Sequence, residues 1–423
     1  GLPTTVSWPR MTPVMVATTP GVGVSVSRAA SIAPEDQWVR SVDLDAFQKD
    51  VMELGRRLKA EQGEADVAHL QKIVGWSNAC GAIGVLSCVA PLNPITVTAL
   101  SLWIFSRWTM IAHHTLHGGY NGQTERFNSR TFATGNPVRR AMDWFDWMLP
   151  EAWNLEHNNL HHYRLGEKED PDLVERNLNE LRTMPIPMLA KRVAVAGIAS
   201  VWKWYYYAPN TFKELKQAEL RKKGEALPES VDHTAPLTLP AFFSNEPTAV
   251  AGGEFFLKVM LPYIVGHFLL LPLPFVAVGA SLGLPAGALM FNALANLLVA
   301  DVLSNIHSFI VIATNHAGGD LYKFEKGPAR VNTGTFYMRA VTSSANFPTG
   351  GDVNDFMHGW LNYQIEHHLF PSAPQFRHPK LSPRVKAFFE KHGLHYDSRG
   401  YFEAMADTFK NLDTVGNVHE HAQ

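Results

Sequence analysis

The sequence predicts an all-α integral membrane protein with four transmembrane helices, arranged as two hairpins, and a cytoplasmic-side helical cap that holds a metal site. Two observations predict the membrane part: the chain of 423 residues has no Asp, Glu, Lys or Arg in two long windows, 73–106 and 259–300. A third predicts the metal site, because eight of the 19 histidines fall into three short clusters. The net charge of −2 indicates no nucleic acid partner.

Each charge-free window is long enough for two crossings, since one crossing takes about 20 apolar residues. Pro91 and Pro94 interrupt the first window, and the segment 279–285 interrupts the second. The predicted spans are about 73–90, 95–112, 256–278 and 285–313. Neither hairpin turn carries Lys or Arg, so the positive-inside rule places both termini and residues 113–255 on the cytoplasmic side. All three histidine clusters then lie at one membrane face.

The remaining segments are assigned by composition and periodicity. Residues 1–43 are interpreted as an N-terminal tail, either disordered or the remnant of a targeting peptide, and 396–423 as a C-terminal tail. Residues 44–395 form the predicted main domain. Within it, 44–72 has apolar residues at helical spacing. Two segments rich in Trp and Tyr, 142–150 and 202–207, are predicted to be interfacial helices, with a buried core as the alternative.

The histidine spacing predicts convergence on metal. Imidazole is the commonest side-chain metal ligand near neutral pH, and residues three or four apart share one face of a helix. The three clusters offer more nitrogens than one ion needs, so we expect two metals. A nitrogen-rich site without thiolates suits Fe, Zn or Cu. The members at these spacings are His113 and His117; His157, His161 and His162; and Gln364, His367 and His368.

These clusters resemble the three histidine boxes of membrane fatty acid desaturases. The string from Gln364 to Pro371 resembles the third box of the front-end branch, where Gln replaces the first His, and the order and intervening lengths also fit over 73–395. The resemblance implies a non-haem di-iron centre with two Fe ions. The iron ligands it implies are His113, His117, His157, His161, His162, His316, His367 and His368. Gln364 matches a variant ligand position, whereas His114 is not required and is either a supporting group or solvent-exposed.

Several other polar side chains are candidates for supporting roles. We expect carboxylates to orient the ligand imidazoles and amides to orient a metal-bound water. The carboxylate candidates are Asp170, Asp172 and Glu366, and the amide candidates are Asn305, Asn315 and Asn346.

The resemblance also implies an activity and its partners. It implies that the protein inserts a cis double bond into an acyl-lipid or acyl-CoA substrate in a membrane, using O₂ and two electrons. Many front-end relatives carry a cytochrome b5 domain with a His-Pro-Gly-Gly string, and the sequence contains none. We therefore expect a separate donor, ferredoxin or free cytochrome b5. This favours a bacterial inner membrane or a plastid membrane over the endoplasmic reticulum.

Three alternatives remain open from the residues alone. The same scaffold supports hydroxylation, epoxidation or desaturation of another lipid, such as a carotenoid or sphingolipid. A membrane zinc hydrolase would use three protein ligands and one water, fewer nitrogens than the clusters offer. A haem-based electron carrier would need paired histidines inside the bilayer, but only His267 lies deep in a predicted span.

Overall fold

The computed structural model describes residues 34–134, 136–143, 148–226, 235–243, 250–317, 321–324, 327–413 and 419–421. These residues belong to one unit, Ile32–Gln423. The helices, in chain order, are α1 Leu44–Glu61, α2 Glu64–Leu86, α3 Pro94–Leu116, α4 Pro137–Asp143, α5 150–164, α6 Val174–Asn177, α7 Asn179–Thr183, α8 Met188–Ser200, α9 203–223, α10 Gly252–Ser281, α11 Ala286–His316, α12 Gly334–Thr342, α13 Asp352–Met357, α14 Gln364–Leu369, α15 His378–His392 and α16 Tyr401–Asp413. Two strands, β1 Tyr322–Phe324 and β2 His419–His421, pair in parallel.

Among the described residues, three helices are long and apolar enough to cross a membrane: α3, α10 and α11. They correspond to three of the four predicted spans. Large apolar side chains on α10 and α11 remain exposed, including Leu257 at 61% and Phe291 at 71%. Such a contiguous apolar surface marks contact with lipid or with another apolar partner.

The fourth predicted span, 73–90, overlaps helix α2, which begins with Glu64 and Asp66 and ends at Leu86. This helix carries Lys72 as well, and it is not among the three that are long and apolar enough to cross. It packs extensively along α3. The side chains of Ile83 and Leu86 near its C-terminal end are exposed. The crossing by this helix therefore stays a prediction.

The predicted amphipathic segment 44–72 forms two helices rather than one. Helix α1 ends at Glu61 and α2 begins at Glu64, so the helix is interrupted at Gly63. The backbone N–H of Gly63 donates to Asp66 Oδ2 at 2.8 Å, which caps the new helix. Periodicity alone misses this break because the apolar positions continue across it.

A buried apolar layer surrounds the region to which the histidines project. Trp108 of α3 lies in it with Trp202 and Tyr207, which are 4% and 1% exposed. The interfacial interpretation of 202–207 is thus wrong for these two rings, and the alternative of a buried core describes them. Of the other aromatic-rich segment, 142–150, residues 144–147 lie outside the described residues.

A second core joins α1 to α15. Phe47 and Val51 of α1 pack with Leu381, Val385 and Phe389 of α15, all of them fully or almost fully buried. The 3₁₀ helix Pro34–Ser41 precedes this packing, and residues 1–33 of the predicted N-terminal tail lie outside the described residues. At the other end of the chain, α16 buries Ala404 and Leu412. Helices near both ends of the described chain are thus packed into the fold.

Candidate metal centre

Two groups of buried histidine nitrogens lie beside each other where residues of α3, α5, α11 and α14 meet. In each group one nitrogen from every ring lies within 4.8 Å of the others. The first histidine group is His113, His117, His157 and His367. The second histidine group is His161, His316 and His368.

His162 lies between the two groups. Its Nε2 is 3.2 Å from His157 Nε2, and its ring centroid is 4.8 Å from that of His367 and 5.2 Å from that of His368. It also forms a close set with His157 and His161. The eight ring systems predicted as ligands are therefore all brought into one continuous cluster.

The helices that present these rings are locally distorted. The segment Arg107–Ala112, directly before His113, is π-helical, and so is Asn154–His161, which carries the second cluster. Wider turns of this kind rotate the following residues about the helix axis and occur frequently at functional sites. The i, i+4 pairs then face the neighbouring α14 and its His367.

One distance within the first group suits two ligands that share an ion. His113 Nε2 lies 3.2 Å from His367 Nε2. Two nitrogens that each lie about 2.0–2.1 Å from one metal, the distance known for zinc, are separated by about 3.0–3.4 Å. The two rings come from residues 254 positions apart, so long-range packing creates this contact.

In the second group, every Nδ1 is engaged by a neighbouring group outside it. The imidazole therefore keeps Nε2 as the atom that faces inward. This arrangement fixes the tautomer and orientation of a ligating histidine. The contacts are His161 Nδ1 to Asp170 Oδ1 at 2.8 Å, His316 Nδ1 to the Ile312 carbonyl at 2.9 Å, and His368 Nδ1 to Ser344 Oγ at 2.9 Å.

Gln364 lies against the second group. Its side-chain amide is 2.9 Å from His368 Nε2 and 3.4 Å from His316 Nε2. Asn315 Nδ2 donates to the Leu361 carbonyl at 2.9 Å and contacts Gln364 Oε1 at 3.5 Å. Gln364 thus turns its Nε2 amide group towards the two imidazoles and its Oε1 towards Asn315, so ligation through Oε1 requires the amide to turn over.

Burial keeps most of these histidines neutral. Removal from water, followed by repulsion from neighbouring imidazoles, lowers the pKa of His157, His162 and His367 well below the usual 6.5. For His161 burial acts in the same direction, but the carboxylates of Asp170 and Asp172 outweigh it and raise the pKa. Neutral imidazole is the form that binds metal.

The residues fit a bound metal by a separate test. Among the described residues, several buried ring nitrogens have no hydrogen-bond partner, including His117 Nε2 and His161 Nε2. An unsatisfied buried polar atom costs about 1–3 kcal/mol. Coordination of these nitrogens to metal would remove that cost, and two adjacent groups fit two ions.

The supporting residues behave differently from one another. Asp170 contacts His161, whereas Glu366 accepts from Asn346 at 2.8 Å and from Tyr396 at 2.6 Å, so its predicted role towards a ligand is wrong. The side-chain nitrogen of Asn346 is therefore used in the hydrogen bond to Glu366.

Asn305 accepts from the Lys203 backbone at 2.8 Å and donates to Asp301, away from the two histidine groups. Asn315 is the one of the three amide candidates that contacts Gln364. Asp172 Oδ2 lies 3.6 Å from His161 Nδ1, and burial raises the pKa of this carboxyl to about 6.

Two further histidines, His114 and His378, are buried near the proposed ligands. His114 is fully buried, so the alternative of solvent exposure is wrong. It belongs to a third histidine group with His367 and His378. His378, at the start of α15, is also fully buried and stands outside every cluster in the sequence, so no spacing signal could have revealed it.

Comparison with known proteins gives one family. The family model described as "Fatty acid desaturase" matches residues 89–400. An acyl-lipid (8-3)-desaturase of Rebecca salina is 73% identical over 66 residues, 16% of this chain and 16% of the relative. An acyl-lipid (8-3)-desaturase of Thraustochytrium sp is 56% identical over 57 residues, 14% of this chain and 13% of the relative.

A longer match has lower identity. An acyl-lipid 8-desaturase of Rebecca salina is 24% identical over 318 residues, which are 73% of this chain and 60% of the relative. The chain thus covers less than two thirds of the length of each of these three relatives. No solved structure matches the chain.

Proposed function

Because the chain belongs to the fatty acid desaturase family, we propose that it inserts a cis double bond into a fatty acyl chain. The observation that carries this proposal is the pair of adjacent buried histidine groups at the ends of apolar helices. We propose His113, His117, His157, His161, His162, His316, His367 and His368 as the ligands of two iron ions, with Gln364 as a further ligand on the second-group side.

Two iron ions at this site would supply the activation of O₂ and the removal of hydrogen from two neighbouring carbons, which is chemistry of the cofactor. The protein contributes orientation and exclusion of water. Asp170 and Ser344 hold the rings of His161 and His368 by their Nδ1 atoms, so that both Nε2 atoms face the same centre. Burial of most of these rings limits the access of bulk water to the site.

We propose an acyl lipid as the substrate class. This is supported by the names of three relatives, two acyl-lipid (8-3)-desaturases and an acyl-lipid 8-desaturase. The exposed apolar side chains of α10 and α11 also suit a substrate that arrives from a bilayer. Acyl-CoA is the competing carrier, and the position of the double bond follows from product analysis.

Other parts of the proposal rest on the sequence. We place the chain in the front-end branch on the strength of Gln364, and we propose that α2 is the fourth span, with both termini on the cytoplasmic side. The main domain is proposed to be 44–395. Electrons are proposed to come from ferredoxin or free cytochrome b5, in a bacterial inner membrane or a plastid membrane. Reconstitution with each donor in turn tests that choice.

Expression in a host of known lipid composition tests the function. Wild-type protein is expected to produce a new unsaturated fatty acid in total lipid, whereas His367→Ala is expected to produce none. His395→Ala, which changes an exposed histidine outside the groups, is the matched control and should retain activity. An unchanged fatty acid profile with iron-loaded wild type and a supplied donor would contradict desaturation, and hydroxylated products would favour the related hydroxylase.

Separation of lipid classes distinguishes the two carriers. If the first labelled unsaturated product appears in glycerolipid, the acyl-lipid proposal stands. If it appears first in acyl-CoA, that proposal is wrong while desaturation itself is retained.

A further inference from the structure

The third histidine group lies against the first one and shares His367 with it. Its members are His114, His367 and His378, and all three rings are 0% exposed. The ring centroid of His114 is 5.4 Å from that of His378 and 5.8 Å from that of His367, and the His367–His378 separation is 6.2 Å. The family's histidine boxes require neither His114 nor His378.

The ring nitrogens of the third histidine group have few hydrogen-bond partners. Within the described residues, both ring nitrogens of His114 and of His378 lack a hydrogen-bond partner, and so does Nδ1 of His367. His378 faces the Trp360 carbonyl, but without the geometry of a hydrogen bond. Five unsatisfied nitrogens in one buried place are costly unless water or one another satisfies them.

His367 differs from the three histidines of the second group. Each of those has an Nδ1 contact that orients the ring, provided by Asp170, a carbonyl or Ser344. His367 Nε2 faces His113 Nε2 at 3.2 Å, and its Nδ1 has no such contact among the described residues. His114 and His378 each have a ring nitrogen within 4.8 Å of one of His367, and neither is among the proposed ligands.

We propose that His114 and His378 are positioning residues for His367, which they orient by hydrogen bonding to its Nδ1, directly or through a buried water. A neutral imidazole can accept from the Nδ1–H of His367 and thereby leave Nε2 for metal. This inference rests on the proposed metal centre, because it assigns a role towards one of the ligands.

A separate third metal site is a weaker explanation. His367 Nε2 is already directed into the first group, which leaves only two other imidazoles, and the third group contains no carboxylate or thiolate. Structural and catalytic zinc sites use at least three protein ligands.

The start of α15, where His378 lies, is joined to α2 by an ion pair. Arg377, the preceding residue, donates from Nε to Asp66 Oδ1 at 2.7 Å and from its NH2 group to Asp66 Oδ2 at 2.9 Å. This two-point ion pair joins the start of α15 to the start of α2, and the Asp66 side chain is fully buried. A ring that supports a ligand has to be rigid in this way.

Metal affinity of the purified full chain tests the inference without use of activity. The metal-free protein is titrated with Co²⁺, and binding at each of the two sites is followed by visible absorption. His114→Leu and His378→Leu are each expected to lower the affinity of one site by about 10–100-fold and to leave the other unchanged. His378→Gln, which keeps a donor and an acceptor, is expected to recover most of the loss.

His358→Leu is the matched control. His358 is 2% exposed and belongs to none of the histidine groups found among the described residues, so its loss should leave both Co²⁺ affinities unchanged. The thermal midpoint of each metal-free variant is measured alongside. A variant that folds with the wild-type midpoint and still binds one Co²⁺ weakly supports a positioning role.

The result that would overturn the positioning role differs from the result that would overturn the metal centre. Wild-type affinity at both sites in the His114 and His378 variants would overturn the inference and leave the proposed metal centre standing. A wild type that binds no Co²⁺ or Fe²⁺ would overturn the metal centre itself. If His378→Leu does not fold, equal affinities of wild type, His114→Leu and His378→Gln overturn the inference.

Discussion

The two nitrogens of each imidazole have different tasks at this site. In His161 and His368, Nδ1 contacts Asp170 and Ser344, and Nε2 is left to face the centre. The outer contact decides which tautomer the ring adopts, and it is therefore expected to control affinity for metal almost as strongly as the ligand itself. A carboxylate partner adds charge to this effect and makes the imidazole a stronger donor.

Asp170→Asn tests this division of tasks. The amide keeps the size of the side chain but loses the charge that strengthens the contact with His161 Nδ1. The affinity of the metal-free protein for Fe²⁺ is expected to fall by about 10–100-fold, and competition with a chelator measures it. Glu169→Gln is the control, because Glu169 is the exposed acidic neighbour and should have no effect.

Equal affinities of Asp170→Asn and wild type would contradict this view of the contact.

Acidic residues close to the histidine clusters were predictable as candidates from the sequence, but only the packed structure separates their roles. In the folded protein, Asp170 contacts the proposed ligand His161, whereas Glu366 contacts Asn346 and Tyr396. Both are acidic residues close in sequence to ligands, and local sequence does not distinguish their partners.

Among the helices, close packing of α2 against α3 depends on two small residues. A Cβ atom on Gly84 would lie 2.6 Å from Leu100 Cγ and 2.9 Å from its backbone nitrogen, and one on Gly81 would lie 2.8 Å from Trp103 Nε1. Small residues let helix backbones approach in this way, especially between apolar helices. The approach aligns α3, which carries His113 at its end.

Gly84→Ala is expected to destabilise the protein, because the added carbon cannot be accommodated without movement of the Leu100 backbone. Such overpacking costs about 1–3 kcal/mol. Gly75→Ala on the same helix meets nothing within 4 Å and is expected to be neutral or stabilising by up to about 1 kcal/mol, the difference in helix propensity. Thermal midpoints in detergent measure both, and similar midpoints for the two variants would contradict the packing argument.

Helix α11 carries a charged contact at its buried face. Asp301 accepts from Lys203 Nζ at 2.8 Å and from the Tyr263 hydroxyl at 2.6 Å, and it thereby joins α9, α10 and α11. Lys203 is 0% exposed. Charged residues inside a membrane-spanning helix are costly and persist when they are paired.

Asp301→Ala is therefore expected to destabilise the fold by about 3–5 kcal/mol, since it removes the carboxylate partner of a buried ammonium. The double variant Asp301→Leu with Lys203→Met should lose less than the single one. Asp352→Ala removes an exposed partner of Lys72 and should cost at most about 1 kcal/mol. Equal losses in the two single variants would argue against a buried ion pair.

The molecule as a whole should depend on pH through its buried histidines. Burial lowers the pKa of His378 from 6.5 to about 3, and it lowers those of most cluster histidines outside the spans well below 6.5. Between these values and pH 6.5 the unfolded chain binds more protons than the folded one, so stability falls as pH falls. Asp172 acts in the opposite direction, but the histidines with lowered pKa outnumber such groups.

The thermal midpoint of the metal-free protein is thus expected to decrease from pH 7.5 to pH 4.5, with most of the change below pH 6.5. Differential scanning fluorimetry in a fixed detergent and ionic strength measures it. Bound metal should raise the midpoint at pH 7.5, because it binds only the folded state. A midpoint that is flat or rises towards pH 4.5 would contradict neutral burial of the histidines.

The arrangement of the chain was predictable where the signal is local. Charge-free windows and i, i+4 histidine pairs are properties of short stretches, and they correctly located α3, α10, α11 and the rings that converge. Periodicity failed at Gly63, where one predicted helix is two, and at 202–207, where aromatic rings are buried in the core. At Gly63 a helix cap outweighs local composition, and at 202–207 tertiary contacts do so.

The sequence alone thus specified the kinds of residues, their spacing and a membrane setting, since these follow from local chemistry. Folding determined which nitrogen of each ring faces the centre, that His114 is buried, and that His378 joins it. Those facts depend on contacts between residues far apart in the chain, such as His113 with His367 and Asp66 with Arg377. No local pattern encodes such pairings, because they arise only when helices far apart in the chain pack together.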